Sequence, residues 1–254
     1  MDESTEKSVQ SAPETGDIKL PLLFQEFSAM MAFFPVPIAS LQTLIPDRRL
    51  KLVPFVPGVG VVGIACLQYE KCDLGPYNEV GVFFPVRYRP RPNLPLIPLL
   101  FEESFKDMGA YIYRLPVTTQ AALDAGKRFW GYPKFIADIE FTETSGWRTC
   151  RLTERSQLIL ELSTQILKPG PVRQRILRTY SVLDGQLLAT TFEVQGSLQA
   201  THRPKAARLT LGSHPHAEEI RAWNLRPWAI ETRFFTRVQG RLNAAHSAEP
   251  VLSP

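Results

Sequence analysis

Residues 178–194 read RTYSVLDGQLLATTFEV. Two apolar, β-branched segments flank Asp184-Gly185, a pair that suits a two-residue hairpin turn because both central residues there take positive φ. The stretch predicts a β-hairpin, and the segments around it extend the pattern. GVVGIACLQYE (60–70) has the apolar, small-residue character of a buried strand. YNEVGVFFPVRY (77–88) is rich in β-branched and aromatic residues, and Pro85 within it predicts an edge or a bulge. SQLILELSTQIL (156–167) places Leu158, Leu160 and Leu162 on one face. YIYRLPV (111–117), FIADIEF (135–141), ARLTLG (207–212) and AIETRFFTRVQGRL (229–242) predict further strands.

Helical signals are fewer. PIASLQTLIP (37–46) is a short helix stopped by Pro46. TTQAALDAGKRF (118–129) takes Thr118 or Thr119 as N-cap and is expected to end near Gly126. SHPHAEEIRAWNL (213–225) takes Ser213 as its cap, with Glu218 and Glu219 in its early turns. The sum predicts a mainly β fold with a few helices: a curled antiparallel sheet or barrel enclosing a pocket.

The chain has 254 residues, 44% hydrophobic and 21% charged, with a net charge of +4. That length suits a single domain with an ample core, expected over 19–242 between disordered tails at 1–18 and 243–254. Arginines are scattered without a basic run, so no nucleic-acid partner is expected. No Gly-rich phosphate loop precedes a helix, so no nucleotide cofactor is expected. Cys66, Cys72 and Cys150 form neither a disulfide framework nor a CxxC metal pair, which fits a reducing, cytoplasmic setting. The nearest approach to a membrane span, LPLIPLLF (94–101), is short and broken by prolines, so no membrane association is expected.

One stretch carries chemistry. In GKRFWGYPKFIADIEF (126–141), Phe129, Trp130, Tyr132, Pro133 and Phe135 crowd around Lys134. Gly131 and Pro133 place that lysine at a helix-to-strand turn. On composition, two readings stand. Either the stem lies across Trp130 and Tyr132 with its ammonium in water, or the amine points into a dry pocket, where burial favours its neutral, nucleophilic form.

GKRFWGYPK (126–134) resembles the Gly-Arg-Glu-x-x-Gly-[Tyr/Phe]-Pro-Lys segment of the acetoacetate decarboxylase family. LGPYNEVGVFFPVRY (74–88) resembles that family's acidic strand, its carboxylate falling on Glu79. SLQTLIPDRRLKLVP (40–54) and LGSHPHAEEI (211–220) resemble its opening and late blocks. The resemblance spans about residues 20–240. It implies a β-cone barrel with flanking helices, assembled into homo-oligomers. It also implies a lysine at the position of Lys134 that forms a Schiff base with an oxo acid or ketone, with Glu79 as acid/base. The implied class is a lyase: a decarboxylase, an aldolase-dehydratase or a cyclodehydratase, in a secondary-metabolic setting. The alternative is a non-catalytic small-molecule-binding protein that kept the pocket.

The chain departs from the family pattern at the expected pocket. The decarboxylase's second lysine is Phe135 here, its arginine falls near Phe27, its further glutamate on Ile64, and the glutamate of its Gly-Arg-Glu on Arg128. Phe27, Ile64, Trp130 and Phe135 are therefore expected to line the pocket. Arg114, with Tyr113 and Tyr111 beside it, is a candidate to hold a substrate carboxylate in place of the missing arginine. His214 and His216, with Glu218, suggest a metal site at first glance, but His-Pro-His places two rings poorly for one ion, and no metal is expected.

Overall fold

The computed structural model describes residues 18–90 and 92–250. In chain order the elements begin with β1 (Leu22–Pro37), α1 (Ala39–Gln42), β2 (Leu50–Leu52), β3 (Val59–Cys72), β4 (Tyr77–Tyr88) and α2 (Ile97–Leu100). They continue with β5 (Met108–Arg114), α3 (Gln120–Trp130), β6 (Asp138–Thr144), β7 (Trp147–Glu154) and β8 (Gln157–Gln165). The last are β9 (Val172–Leu183), β10 (Gln186–Thr201), β11 (Ala207–Leu211), α4 (Pro215–Ala222), β12 (Glu231–Leu242) and β13 (His246–Pro250).

Seven strands close on themselves in the order β12-β1-β3-β4-β5-β9-β10, with β10 returning to β12. The expected β barrel is present, but it is mixed: the pairing of β5 with β9 is parallel. Asp184 and Gly185 form the expected hairpin turn, with φ of 48° and 73°. Pro85 lies past the last β3–β4 pair, Gly63 opposite Phe83, and before β2 takes over with Leu52 opposite Val86. The proline therefore sits where no ladder to β3 needs its missing N–H.

A second sheet, β11-β8-β7-β6, lies against the outside of the barrel. Strand alternation divides the wall between two cores. Met30, Ile64, Cys66 and Val80 point outward and pack with Cys150, Leu160, Leu162 and Trp223. Phe27, Ala29, Ala65, Leu67 and Phe235 point inward and pack with Ala122, Ala125 and Trp130 of α3.

Other expectations need correction. Helix α3 does not end at Gly126; that residue is buried in mid-helix, and Gly131, at φ 59°, is the stop. Helix α4 is capped by His214 rather than Ser213, its Nδ1 accepting the His216 N–H at 3.2 Å. The expected C-terminal tail carries β13, paired with β10. Asn243 donates its backbone N–H to the Thr191 carbonyl and accepts from Trp130 Nε1 at 2.8 Å. The expected N-terminal tail lies outside the described residues except for Ile18. No helix among the described residues is long and apolar enough to cross a membrane.

Candidate active site

Lys134 lies on the connection that leaves α3 and crosses to β6. Gly131 makes that crossing possible twice over. Its φ is left-handed, and a Cβ there would stand 2.7 Å from Leu183 Cβ and from the Val182 carbonyl oxygen. Pro133 then gives its carbonyl to Leu115 N–H at 3.1 Å, and Phe135 gives its own to Val117 N–H at 2.9 Å. Val117 bridges in turn to Glu79. The segment Leu115–Val117 is thus a backbone splint that brings Lys134 to a carboxylate 55 positions earlier in the chain.

Lys134 Nζ donates to Glu79 Oε2 at 2.6 Å, and both residues are buried, 7% and 6% exposed. Tyr69 donates its hydroxyl to the other oxygen, Glu79 Oε1, at 3.2 Å. The ammonium also stands 5.6 Å from the centre of the Tyr77 ring. Each carboxylate oxygen therefore has a donor, the kind of pairing a buried charge requires. Burial first, and the Glu79 charge second, hold the Tyr69 and Tyr77 hydroxyls well above the ordinary tyrosine range, so both remain protonated donors.

The lysine stem lies along α3, over Gly126. A Cβ at Gly126 would fall 2.3 Å from Lys134 Cε and 2.4 Å from Cδ. Ala122, Gly126 and Trp130, spaced i, i+4, i+8, form the helix face that meets the cavity.

That cavity occupies the barrel interior and has a volume of about 230 Å³. Around Lys134 and Glu79 its wall is apolar and aromatic, with Phe24, Phe27, Tyr69, Tyr77 and Phe192. Phe27 and Phe192 stack at 5.8 Å, and Phe24 meets Tyr69 at 4.6 Å. At the rim, Arg175 and Arg233 meet Glu102 and Glu103.

Of the residues expected from sequence, the structure brings Lys134, Glu79, Phe27 and Trp130 to this cavity. It places five elsewhere. Ile64 faces the second sheet, and the inward residue at that point of β3 is Ala65. A one-residue offset in a strand exchanges the faces, so an ungapped alignment that lands on Ile64 lands on the wrong side. Tyr113 and Arg114 lie outside the barrel: Tyr113 donates to Glu219 Oε1, and Arg114 pairs with Glu219 Oε2 at 3.4 Å. Tyr111 also packs against the outer core. The Phe135 ring turns away from Lys134 to meet His216 at 5.1 Å, because successive residues of an extended segment point oppositely. Glu79, Lys134, Phe27 and Trp130 were legible; Phe24, Tyr69, Tyr77 and Phe192 were missed. The signal for Tyr69 was the alternation Ala65, Leu67, Tyr69 along β3, and for Tyr77 the alternation Tyr77, Glu79, Gly81 along β4.

His214 and His216 gather with Glu154 rather than Glu218. His214 Nδ1 accepts the His216 N–H while Nε2 lies 2.9 Å from Glu154 Oε2. The neutral ring that caps α4 therefore carries its proton on Nε2 and donates it to Glu154. Ligation through Nε2 would require moving that proton onto the capping nitrogen. The group is accounted for as a cap and its support.

A family model described as acetoacetate decarboxylase matches residues 9–218, and the chain belongs to that family. Among solved structures, an acetoacetate decarboxylase from Legionella pneumophila is similar at 18% identity, covering 91% of this chain and 88% of its own, with a TM-score of 0.61. A second structure, described as acetoacetate decarboxylase, is similar at 14% identity, 98% and 96% coverage and a TM-score of 0.64. The enduracididine biosynthesis enzyme MppR, complexed with the condensation product of pyruvate and imidazole 4-carboxaldehyde, is similar at 12% identity, 92% and 93% coverage and a TM-score of 0.61. No curated protein matches the chain in sequence at a significant level. At such identities the structural likenesses show the shared fold.

Proposed function

We propose that the chain is a Schiff-base-forming lyase in which Lys134 attacks the carbonyl of a small molecule. One observation carries this reading: the amine at the family's Pro-Lys position stands inside a mainly apolar cavity, with a single carboxylate as its hydrogen-bond partner. Glu79 takes one proton from the ammonium. The amine then forms a C–N bond to the carbonyl carbon, and the carbonyl oxygen collects protons and leaves as water. Two of the ammonium's three protons depart in that water, and the third stays on the iminium nitrogen. The iminium accepts the electron pair of a neighbouring C–C or C–H bond, and Glu79 is placed to move the accompanying proton. Decarboxylation, aldol addition with dehydration and cyclodehydration all share these steps.

Borohydride reduction of the protein with a panel of carbonyl compounds tests the reading. A mass increase mapped to Lys134, and none at the exposed Lys127, is expected; Lys134→Ala abolishes it. Turnover unaffected by Lys134→Ala would overturn the proposal. No adduct from any carbonyl compound would favour the binding-only alternative, in which the Lys134–Glu79 pair stays closed. We also propose a homo-oligomer, on the exposed apolar side chains of Leu100, Phe101, Val172 and Ile176. Light scattering should give a mass above the 28.7 kDa of one chain.

A further inference from the structure

We infer that the cavity takes a neutral carbonyl compound with a sizeable apolar body, a medium-chain or aryl-alkyl ketone or aldehyde, in preference to an oxo acid. The identity of the reacting group rests on the Schiff-base reading; the substrate class rests on the charges of the wall.

Three arginines contribute to the cavity lining besides Lys134, and each is engaged near the rim. Arg233 gives Nη1 and Nη2 to Glu102 at 3.1 and 2.6 Å and Nε to Glu231 at 2.7 Å. Arg175 Nη1 meets Glu103 at 2.9 Å, and Arg178 donates to the Lys106 carbonyl. Strand registers place these charges relative to the lysine. Glu79 lies opposite Leu67, Leu67 opposite Ala29, and Ala29 opposite Phe235. The neighbouring inward row runs Gly81, Ala65, Met31, Arg233. Arg233 is therefore one pleat further along and three strands around, a rise of about 7 Å.

At the level of Lys134 the charges in the described lining are its own and that of Glu79, already matched to each other. A carboxylate next to the reacting carbonyl would meet Glu79 and the rings of Phe27, Tyr69 and Tyr77, with no further cation to receive it. Like charge and apolar surroundings both disfavour it. The rest of the wall suits hydrocarbon. A cavity of about 150 Å³ holds benzene, and the volume here is about 230 Å³. A ring with a short chain fits, and Phe24, Phe27 and Phe192 supply faces and edges for it. A neutral substrate has no carboxylate to lose, so this class directs the iminium toward aldol-type bond making or breaking.

The test incubates the full-length protein with borohydride and 4-phenylbutan-2-one, 2-nonanone, pyruvate or 4-oxopentanoate in separate reactions. The adduct at Lys134 is quantified against carbonyl concentration. The two neutral ketones should half-saturate trapping at about 100-fold lower concentration than the two acids. Equal or better trapping by the acids overturns the inference and leaves the Schiff-base reading intact. Absence of any adduct overturns the Schiff-base reading instead, and calorimetry then decides the ligand class. Tighter binding of 4-phenylbutan-2-ol than of 4-phenylbutanoate supports the inference, and the reverse, or neither binding, overturns it.

Discussion

Strand β3 turns Ile64 and Cys66 toward the second sheet and Ala65, Leu67 and Tyr69 toward the barrel interior. Both sets are shielded from solvent, yet they do opposite things. The outward set meets side chains of β7 and β8 and fills the space between two sheets. The inward set surrounds a void. Burial alone does not tell a structural core from a ligand wall; the presence of opposing atoms does. The same division holds for charge. Rim arginines pair with carboxylates that solvent also reaches, whereas Lys134 and Glu79 have each other and a tyrosine.

The largest expected effect lies on the inward side. Glu79→Gln keeps the shape and removes the proton carrier, and turnover should fall about 10²–10⁴-fold while trapping at Lys134 persists. Unchanged turnover would reduce Glu79 to a structural partner. Next comes a direct contrast of the two faces in chemical denaturation. Ile64→Ala should destabilise by about 2–5 kcal/mol, because tightly packed neighbours cannot refill the space. Phe27→Leu should cost less than about 1.5 kcal/mol, because its ring already borders a void. Equal losses would dissolve the distinction between core and wall.

A third change separates site from scaffold. Ala is the better helix former by about 1 kcal/mol, yet the Cβ of Gly126→Ala collides with the Lys134 stem. Thermal stability should move little while trapping falls about 10²-fold from misplacement of the amine. A stable variant with unaltered trapping would show that the stem has another path.

The smallest effect belongs to the outer face. Burial first, then the Arg114 charge, hold His216 below its ordinary pKa, against Glu219 and Glu154. The unfolded chain protonates this ring at about pH 6.5. Below that, the unfolded state binds more protons, so stability should decline with acidification until the folded ring protonates too. His216→Asn should flatten that segment of a melting-temperature profile against pH.

How much was legible follows from the range over which each signal acts. Asp184-Gly185 and Gly131 are local demands of backbone geometry, and the sequence displays them directly. Strands such as β4 announce themselves by composition. The 16-residue β1 did not, since LLFQEFSAMMAFFPVP is apolar on both faces and shows little alternation. Nor did β7, so the second sheet went unforeseen, and with it the reason that Ile64 and Phe135 look outward. Lys134 and Glu79 were readable as residue types; their 2.6 Å meeting depends on the Leu115–Val117 splint, which no local pattern reveals.

The parallel join of β5 to β9 has a consequence for how the protein moves. It runs through Ala110 opposite Thr179 and Tyr111 opposite Tyr180, whereas β1 and β3 are matched from Phe24 to Pro37. Gly109 sits at this join, where any Cβ would come within 2.7 Å of the Arg178 carbonyl oxygen. The barrel is a zipper with one short run of teeth. Local opening follows the cheapest set of hydrogen bonds, so amide hydrogen exchange in the barrel wall should be fastest at this join, beside a cavity that every guest must enter from outside.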